Sequence, residues 1–273
     1  MAFDIPDIDE TQMPLLHHLL ELRARLMRSL LALCVASVGC YAFAGQILGF
    51  LVRPLTAAFP PGQGRLIYTK LYELFFVEVK VAVFAGFLLS FPIIANQLWA
   101  FVAPGLYAKE KKAFLPFLIA TPVLFGCGAA FAYYVVMPNA FRFLLGFAGE
   151  TGGLKLEALP SAGDYLTFVM QFIFAFGLCF LLPVFMMLLD RAGLVSRAQM
   201  ADGRRYVIVG IVVVAVVLTP PDVASALMLA VPMWLLYEGS LLIMWLGERR
   251  EAKARAKEPA GAPEADGSEA GAE

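Results

Sequence analysis

Long apolar runs separated by short polar stretches dominate this chain, and their lengths predict membrane spans. About 20 apolar residues cross a bilayer as a helix. Four runs reach that length: 26–50, 74–95, 113–137 and 165–189. Two further runs, 206–219 and 223–246, flank the tight turn "TPPD" and must form a hairpin of short helices. The pattern predicts an all-α polytopic membrane protein with six transmembrane helices, the fifth and sixth of them short.

The composition agrees with a membrane protein. Hydrophobic residues make up 60% of the 273 residues and the mean hydropathy is +0.76, whereas soluble domains contain roughly 45–50% apolar residues. The net charge of −1 argues against a nucleic-acid partner. The four cysteines all fall inside apolar runs without a C-x-x-C motif. They are interpreted as small buried hydrophobes, and no metal site is predicted.

The distribution of lysine and arginine predicts the orientation. Basic residues cluster before the first span, between the second and third, between the fourth and fifth, and after the sixth, so both termini are expected in the cytoplasm. Three parts follow: a cytoplasmic amphipathic segment (1–25), a transmembrane domain (26–246) and a cytoplasmic acidic tail (247–273) that is predicted to be disordered. The opening residues, "MAFDIPDIDETQ", lack the pattern of a cleavable signal peptide.

The segment "HHLLELRARL" (17–26) leads into the first span and is amphipathic when it is helical. Its apolar stripe consists of Leu15, Leu19, Leu22 and Leu26, and its polar face of His18, Glu21, Arg25 and Arg28. One interpretation is a solvated pair of Glu21 with Arg25 one turn on, worth a few tenths of a kcal/mol. The other is that Glu21 serves a binding site.

A second carboxylate favours the binding interpretation. In the first cytoplasmic loop, "NQLWAFVAPGLYAKEKKAFLP" (96–116), lysines surround Glu110 and an aromatic patch precedes it: Trp99, Phe101 and Tyr107. Two carboxylates on neighbouring elements at one membrane face could bind two guanidinium groups, because a planar guanidinium matches a carboxylate through two parallel hydrogen bonds.

Sequence motifs of enzyme chemistry are missing. The sequence contains no G-x-x-x-x-G-K-[ST], no H-E-x-x-H and no G-x-S-x-G, so catalysis is the weakest hypothesis. A secondary transporter or channel for a small solute is the alternative function, because prolines at five positions in or near the spans bend helices. Transporters of that kind usually consist of repeated halves, and this sequence has no such internal symmetry.

Several long motifs, in order, resemble the TatC family, the receptor subunits of the twin-arginine protein translocase. They are "HLLELRARL", "NQLWAFVAPGLYAKEKK", "AFAYYVVMPNAF", "DYLTFVMQFIFAFG" and "LTPPDVASALMLAVPMWLLYE", within 17–247. The resemblance implies a glove-shaped six-helix bundle in the bacterial cytoplasmic (inner) membrane that binds twin-arginine signal peptides of folded proteins. It further implies a hetero-oligomer of several copies with TatA and TatB subunits, transport driven by the protonmotive force, and no cofactor.

The resemblance also assigns roles to single residues. Glu21 and Glu110 match the two family glutamates tied to recognition of the arginine pair, and Phe101 matches the aromatic of the loop. Arg23 and Arg25 match arginines with an anchoring, partner or peptide-binding role. Two external positions complete the set: Pro54 matches the proline of the first external loop, and Asp222 matches the acid of the "TPPD" turn, where capping of the sixth helix is an equal alternative.

One position departs from the family. Relatives carry a polar residue in the fourth span where this chain has Leu181, and Gln171 on the same helix is a candidate substitute, although a structural hydrogen bond between helices is the commoner role of such a glutamine. Glu238 is either an intramembrane carboxylate or lies near the cytoplasmic edge beside Arg204 or Arg205. The short fifth and sixth helices suggest a locally thinned bilayer.

Overall fold

The computed structural model describes residues 8–59, 65–106, 115–147, 149–151, 154–156, 159–219 and 223–257. Helices form nearly all of this part of the chain, as predicted. Their bounds are α1 Ile8–Tyr41, α2 Ala44–Thr56, α3 Glu73–Leu106, α4 Leu115–Phe131, α5 Met137–Leu145, α6 Ala162–Cys179, α7 Leu182–Arg191, α8 Arg197–Asp202, α9 Arg204–Leu218 and α10 Val223–Lys257. A π-helical turn (Ala132–Val136) joins α4 to α5, and β1 (Gly149–Thr151) pairs with β2 (Leu154–Leu156) in a small antiparallel hairpin.

Five helical stretches of the described chain are long and apolar enough to cross a membrane. They are Leu19–Tyr41, Glu73–Phe101, Phe117–Leu145, Ala162–Arg191 and Val223–Arg249. Together with α9 they correspond to the six predicted spans and alternate in direction. The end of the bundle at which α1 begins is called the cytoplasmic end here, and the opposite end is called the external end.

The first predicted span, 26–50, is not one continuous helix. α1 ends at Tyr41, and α2, which begins at Ala44, is a separate helix. A turn separates the two helices, with the amide of Phe43 donating to the carbonyl of Cys40 at 3.0 Å. Hydropathy could not predict this break, because the apolar run continues across the turn.

Tyrosine side chains hold α2 in place at the external end. Pro54 lies buried inside α2 and has no backbone N–H, so the carbonyl of Phe50, four residues earlier, lacks its usual helical donor. The hydroxyl of Tyr133 donates to that carbonyl at 2.6 Å, and the hydroxyl of Tyr165 donates to the carbonyl of Leu51 at 2.8 Å. Pro54 is therefore part of a site where α6 and the π-helical turn dock on α2.

A single carboxylate joins two external segments. Glu73 begins α3, and its Oε2 accepts from the amide and hydroxyl of Thr69 and from the amide of Lys70, at 2.7, 3.0 and 3.2 Å. Its Oε1 accepts from the hydroxyl of Ser161 at 2.7 Å and from the amide of Gly163 at 2.9 Å. Five donors from both loops thus converge on one side chain.

The sixth helix is not short, contrary to the prediction. α9 has 15 residues, as expected of a short helix, but α10 has 35 and continues from Val223 to Lys257. Residues 247–257, assigned to the tail from sequence, are helical, because no proline or other break interrupts the charged run that follows the span. The "PPD" of the turn and residues 258–273 lie outside the described residues.

The main core lies between the external helix α2, the span α3 and the helices α5 to α10. Its fully buried side chains include Val81, Val136, Met137, Leu166, Val169, Phe176 and Leu229. A second, aromatic cluster lies between α3, α4 and α7. It contains Phe91 and Phe125, whose rings stack with their centroids 3.9 Å apart. α1 packs extensively on α3 alone among the described elements and so forms one edge of the bundle.

Candidate functional site

The cytoplasmic half of α1 turns its polar face toward α3. Its half-buried residues recur three and four apart along one side, which is the side that packs on α3: Glu21, Arg25, Ser29, Ala32, Leu33, Ala36, Ser37 and Cys40. The apolar stripe is exposed at Leu19, Leu22 and Leu26; the side chains of Leu15 and His18 lie outside the described residues.

The predicted pair of Glu21 and Arg25 is present. The Nε and Nη2 of Arg25 both donate to Oε1 of Glu21, at 3.0 and 2.6 Å. Only 27% of the Glu21 side chain and 20% of the Arg25 side chain are exposed, so the pair is better shielded than the solvated contact considered from sequence. Arg23 and Arg28 are exposed; Arg23 lies on the opposite side of the helix from Arg25, whereas Arg28 lies at the edge of the face that carries Glu21 and Arg25.

A close approach of α1 and α3 fixes their relative register. A Cβ built on Gly86 would lie 2.6 Å from the backbone nitrogen of Ser37 and 2.7 Å from its Cα. Because the helices are antiparallel with equal rise, residues equally far from this contact lie at the same level. Phe101 is 15 residues after Gly86, and Leu22 is 15 residues before Ser37. The structure therefore brings Phe101 to within one residue, about 1.5 Å, of the level of Glu21, on the face of α3 that carries Gly86.

A buried hydrogen bond anchors the same end of α3 to α4. The indole Nε1 of Trp99 donates to Oγ1 of Thr121 at 2.7 Å, and that hydroxyl donates to the carbonyl of Phe117 at 2.8 Å. Trp99, predicted only as part of an aromatic patch, is thus a structural residue that holds α3 beside Phe101. Glu110 and Asp222 lie outside the described residues.

Gln171, the candidate substitute for a polar residue at Leu181, lies in a different environment from that position. It is exposed in α6 and lines a cavity of about 420 Å³ with Phe168, Leu178 and Val217. Leu181 precedes α7 and packs against the aromatic cluster of Phe91 and Phe125. The role of Gln171 therefore stays a prediction.

Glu238 is paired at the cytoplasmic start of α9. Its Oε2 lies 3.2 Å from Nη2 of Arg204, which is one of the two alternatives predicted from sequence. The neighbouring Tyr237 donates its hydroxyl to the carbonyl of Met200 in α8 at 2.5 Å. Arg197, at the start of α8, donates to Oε2 of Glu248 at 2.8 Å. These contacts tie the cytoplasmic connection before α9 to α10.

Two further residues of interest were missed from sequence. No local sequence pattern indicates the role of Glu73, because its partner Ser161 is 88 residues away. Only the tertiary fold brings the two residues together. Gln97 stood inside the quoted loop motif without a role; its Oε1 is buried and has no hydrogen-bond partner in the described part of the chain.

The described fold and site define a polytopic helical membrane protein with a partly buried carboxylate–arginine pair at its cytoplasmic end. The family model for "Sec-independent protein translocase protein (TatC)" matches residues 17–232. A relative of that name in Magnetococcus marinus is 47% identical over 92% of this chain and 91% of its own length, and one in Escherichia coli K12 is 39% identical over 85% and 87%. A crystal structure described as the "Twin Arginine Translocase Receptor- TatC in DDM" is 36% identical with a TM-score of 0.70, covering 83% of this chain and 98% of that one. The chain belongs to the TatC family.

The bilayer is expected to be thinner beside α9 than beside α1. Fifteen residues span about 22 Å, whereas the hydrocarbon core is about 30 Å thick. Nitroxide labels at the exposed positions Val212 of α9 and Leu30 of α1, in a background without native cysteines, test this by their accessibility to a water-soluble nickel relaxant. We expect greater accessibility at Val212; equal, low accessibility at both would contradict thinning.

Proposed function

We propose that this protein binds the twin-arginine signal peptides of folded proteins at the cytoplasmic face of the bacterial inner membrane, with Glu21 and Glu110 as the two guanidinium-binding carboxylates. Together with TatA and TatB subunits it then organises the transport of these proteins, driven by the protonmotive force. The observation that carries this proposal is the shared level of Glu21 and Phe101 on two neighbouring helices at the cytoplasmic end.

The chemistry of Glu21 supports a guanidinium ligand. Its Oε1 already accepts two hydrogen bonds from one arginine side chain, that of Arg25. A lysine ammonium lacks the two parallel N–H groups of a guanidinium and cannot reproduce this geometry. Phe101 at the same level offers an apolar or cation–π surface for the peptide. Arg23, which is exposed, is available for contact with a partner subunit or lipid headgroups.

The other predicted residues support the receptor indirectly. Pro54 keeps α2 docked through Tyr133, and Glu238 with Arg204 holds the start of α9. Each elementary charge that moves through 100 mV supplies about 2.3 kcal/mol, so a few charges are enough to drive rearrangement of an assembly. The transporter alternative loses its support because the relatives are protein translocase components.

Binding of a labelled signal peptide tests the proposal. We expect a peptide with paired arginines to bind the purified protein at least tenfold more tightly than the same peptide with paired lysines, because one bidentate charge-assisted contact is worth roughly 1.5–3 kcal/mol. Glu21→Ala and Glu110→Ala should each remove most of this preference.

Glu248→Ala is the matched control, since Glu248 is also a cytoplasmic glutamate paired with an arginine. It should leave the preference unchanged. Equal binding of both peptides to the unaltered protein, or a preference that survives both site substitutions, would contradict the proposed site.

A further inference from the structure

The side-chain amide of Gln97 is unusual among the polar groups of the described chain. Its Oε1 is inaccessible to solvent and accepts no hydrogen bond from the described residues. Buried carbonyl oxygens nearly always accept a hydrogen bond, because burial removes their hydrogen bond to water and leaving it unreplaced costs free energy. An acceptor that lacks a donor in the described conformation is explained if a second conformation of the protein supplies the donor.

The position of Gln97 suggests where the donor comes from. It shares the α1-facing side of α3 with Gly86 and Phe101, at spacings of 11 and four residues. Counted from the contact of Gly86 with Ser37, Gln97 lies at the level of Leu26. Arg25 is one residue, about 1.5 Å, from that level and lies on the half-buried, α3-facing side of α1. A long guanidinium-bearing side chain is therefore carried by α1 at nearly the same level as this unpaired acceptor.

Arg25 meanwhile occupies the carboxylate that a peptide would need. Both its Nε and its Nη2 point at Oε1 of Glu21. A peptide arginine carries the same guanidinium group and must compete with Arg25 for this oxygen. When it succeeds, the displaced guanidinium remains in a partly buried setting and requires a new acceptor.

We propose that Arg25 is an internal substitute for the peptide's arginine, and that Oε1 of Gln97 accepts Arg25 when the peptide guanidinium takes Glu21. The inference rests on the proposed function and adds a specificity mechanism to it. Arg25 donates two charge-assisted hydrogen bonds to Glu21. A peptide group that displaces Arg25 restores two equivalent hydrogen bonds only when it is a guanidinium. A lysine ammonium supplies a single donor in that direction and displaces Arg25 poorly. Gln97 is in this scheme a positioning residue that receives Arg25.

A double-mutant cycle on the full-length protein tests the exchange. The variants are Arg25→Gln, Gln97→Met and the two combined, and the readout is the affinity for the arginine and lysine peptides. Arg25→Gln should bind the arginine peptide about threefold more tightly. The same variant should gain even more affinity for the lysine peptide, so its preference for the arginine peptide falls. Gln97→Met should weaken the arginine peptide about fivefold while Arg25 is present, and less than twofold when Arg25 is already glutamine.

Two controls separate exchange from structural damage. Arg28→Gln alters an exposed arginine on the same helix and should change neither affinity nor preference. The melting temperature of Gln97→Met should not fall, because an unsatisfied buried acceptor is replaced by an apolar group of similar length.

The exchange would be overturned by weaker arginine-peptide binding in Arg25→Gln, or by an equal effect of Gln97→Met in both backgrounds. Failure of the proposed function has a different signature: Glu21→Ala would leave the arginine preference intact. The two failures can therefore be told apart in one set of measurements.

Discussion

Gly86→Ala is expected to destabilise the protein by about 2 kcal/mol, the range of overpacked contacts, and to abolish the preference for arginine peptides. The added methyl group would sit 2.6 Å from the backbone nitrogen of Ser37, and backbone atoms cannot rotate away as a flexible side chain does. α1 must then shift on α3. Because this contact sets the level of Glu21 against Phe101, the candidate site is displaced along with the helix. Thermal unfolding in detergent and the peptide-binding assay measure the two effects.

Gly126→Ala is the matched control for this prediction. Gly126 also lies inside a membrane-spanning helix, α4, but a Cβ there meets no atom within 4 Å. Alanine in place of glycine in an unobstructed helix stabilises by about 0.5–1 kcal/mol. The two substitutions should therefore have opposite signs. An equal gain in stability from both would show that the α1–α3 contact tolerates expansion.

Glu73→Ala should have the second largest effect, which is to release the external segments from each other. Five donors from Thr69, Lys70, Ser161 and Gly163 lose their acceptor at once. We expect faster amide hydrogen exchange at 65–72 and 160–163, and a lower melting temperature. Glu73→Gln should lie between, because the amide keeps one acceptor oxygen but replaces the other with a donor group.

Glu78→Ala is the control on the same helix. Glu78 is half-buried in α3 but makes no hydrogen bond or ion pair with the described residues. Its removal should leave exchange at 65–72 and 160–163 unchanged. Increased exchange in both variants would mean that the loss of one external negative charge, and not the loss of the five hydrogen bonds, loosens the external end.

Local patterns of this sequence were sufficient to predict the class of protein and part of the candidate site. Hydropathy over about 20 residues reports membrane spans because each helix must satisfy its own backbone in lipid. Five of the six predicted spans, the second to the sixth, correspond to described helical stretches whose ends are only shifted or extended. The pair of Glu21 with Arg25 was predictable because residues four apart on a helix are neighbours in any fold.

The errors arose where a break or an extension left the hydropathy unchanged. The turn after Tyr41 lies inside a continuous apolar run, and the charged residues after Gly247 continue α10 as a helix. The apolar stripe at Leu19, Leu22 and Leu26 was recognisable as a stripe, but periodicity alone cannot distinguish a face that packs on protein from one that faces lipid.

The sequence by itself determined the helical membrane class, the alternation of spans and the candidate carboxylate, since all of these depend on composition and on contacts within a few residues. Only the tertiary structure decided that Glu21 and Phe101 lie within one residue of the same level, and that Oε1 of Gln97 is buried without a donor from the described part of the chain. It also decided that Glu73 joins segments 88 residues apart. The physical reason is the register of α1 on α3, which depends on the close approach of Ser37 and Gly86 and has no local signature.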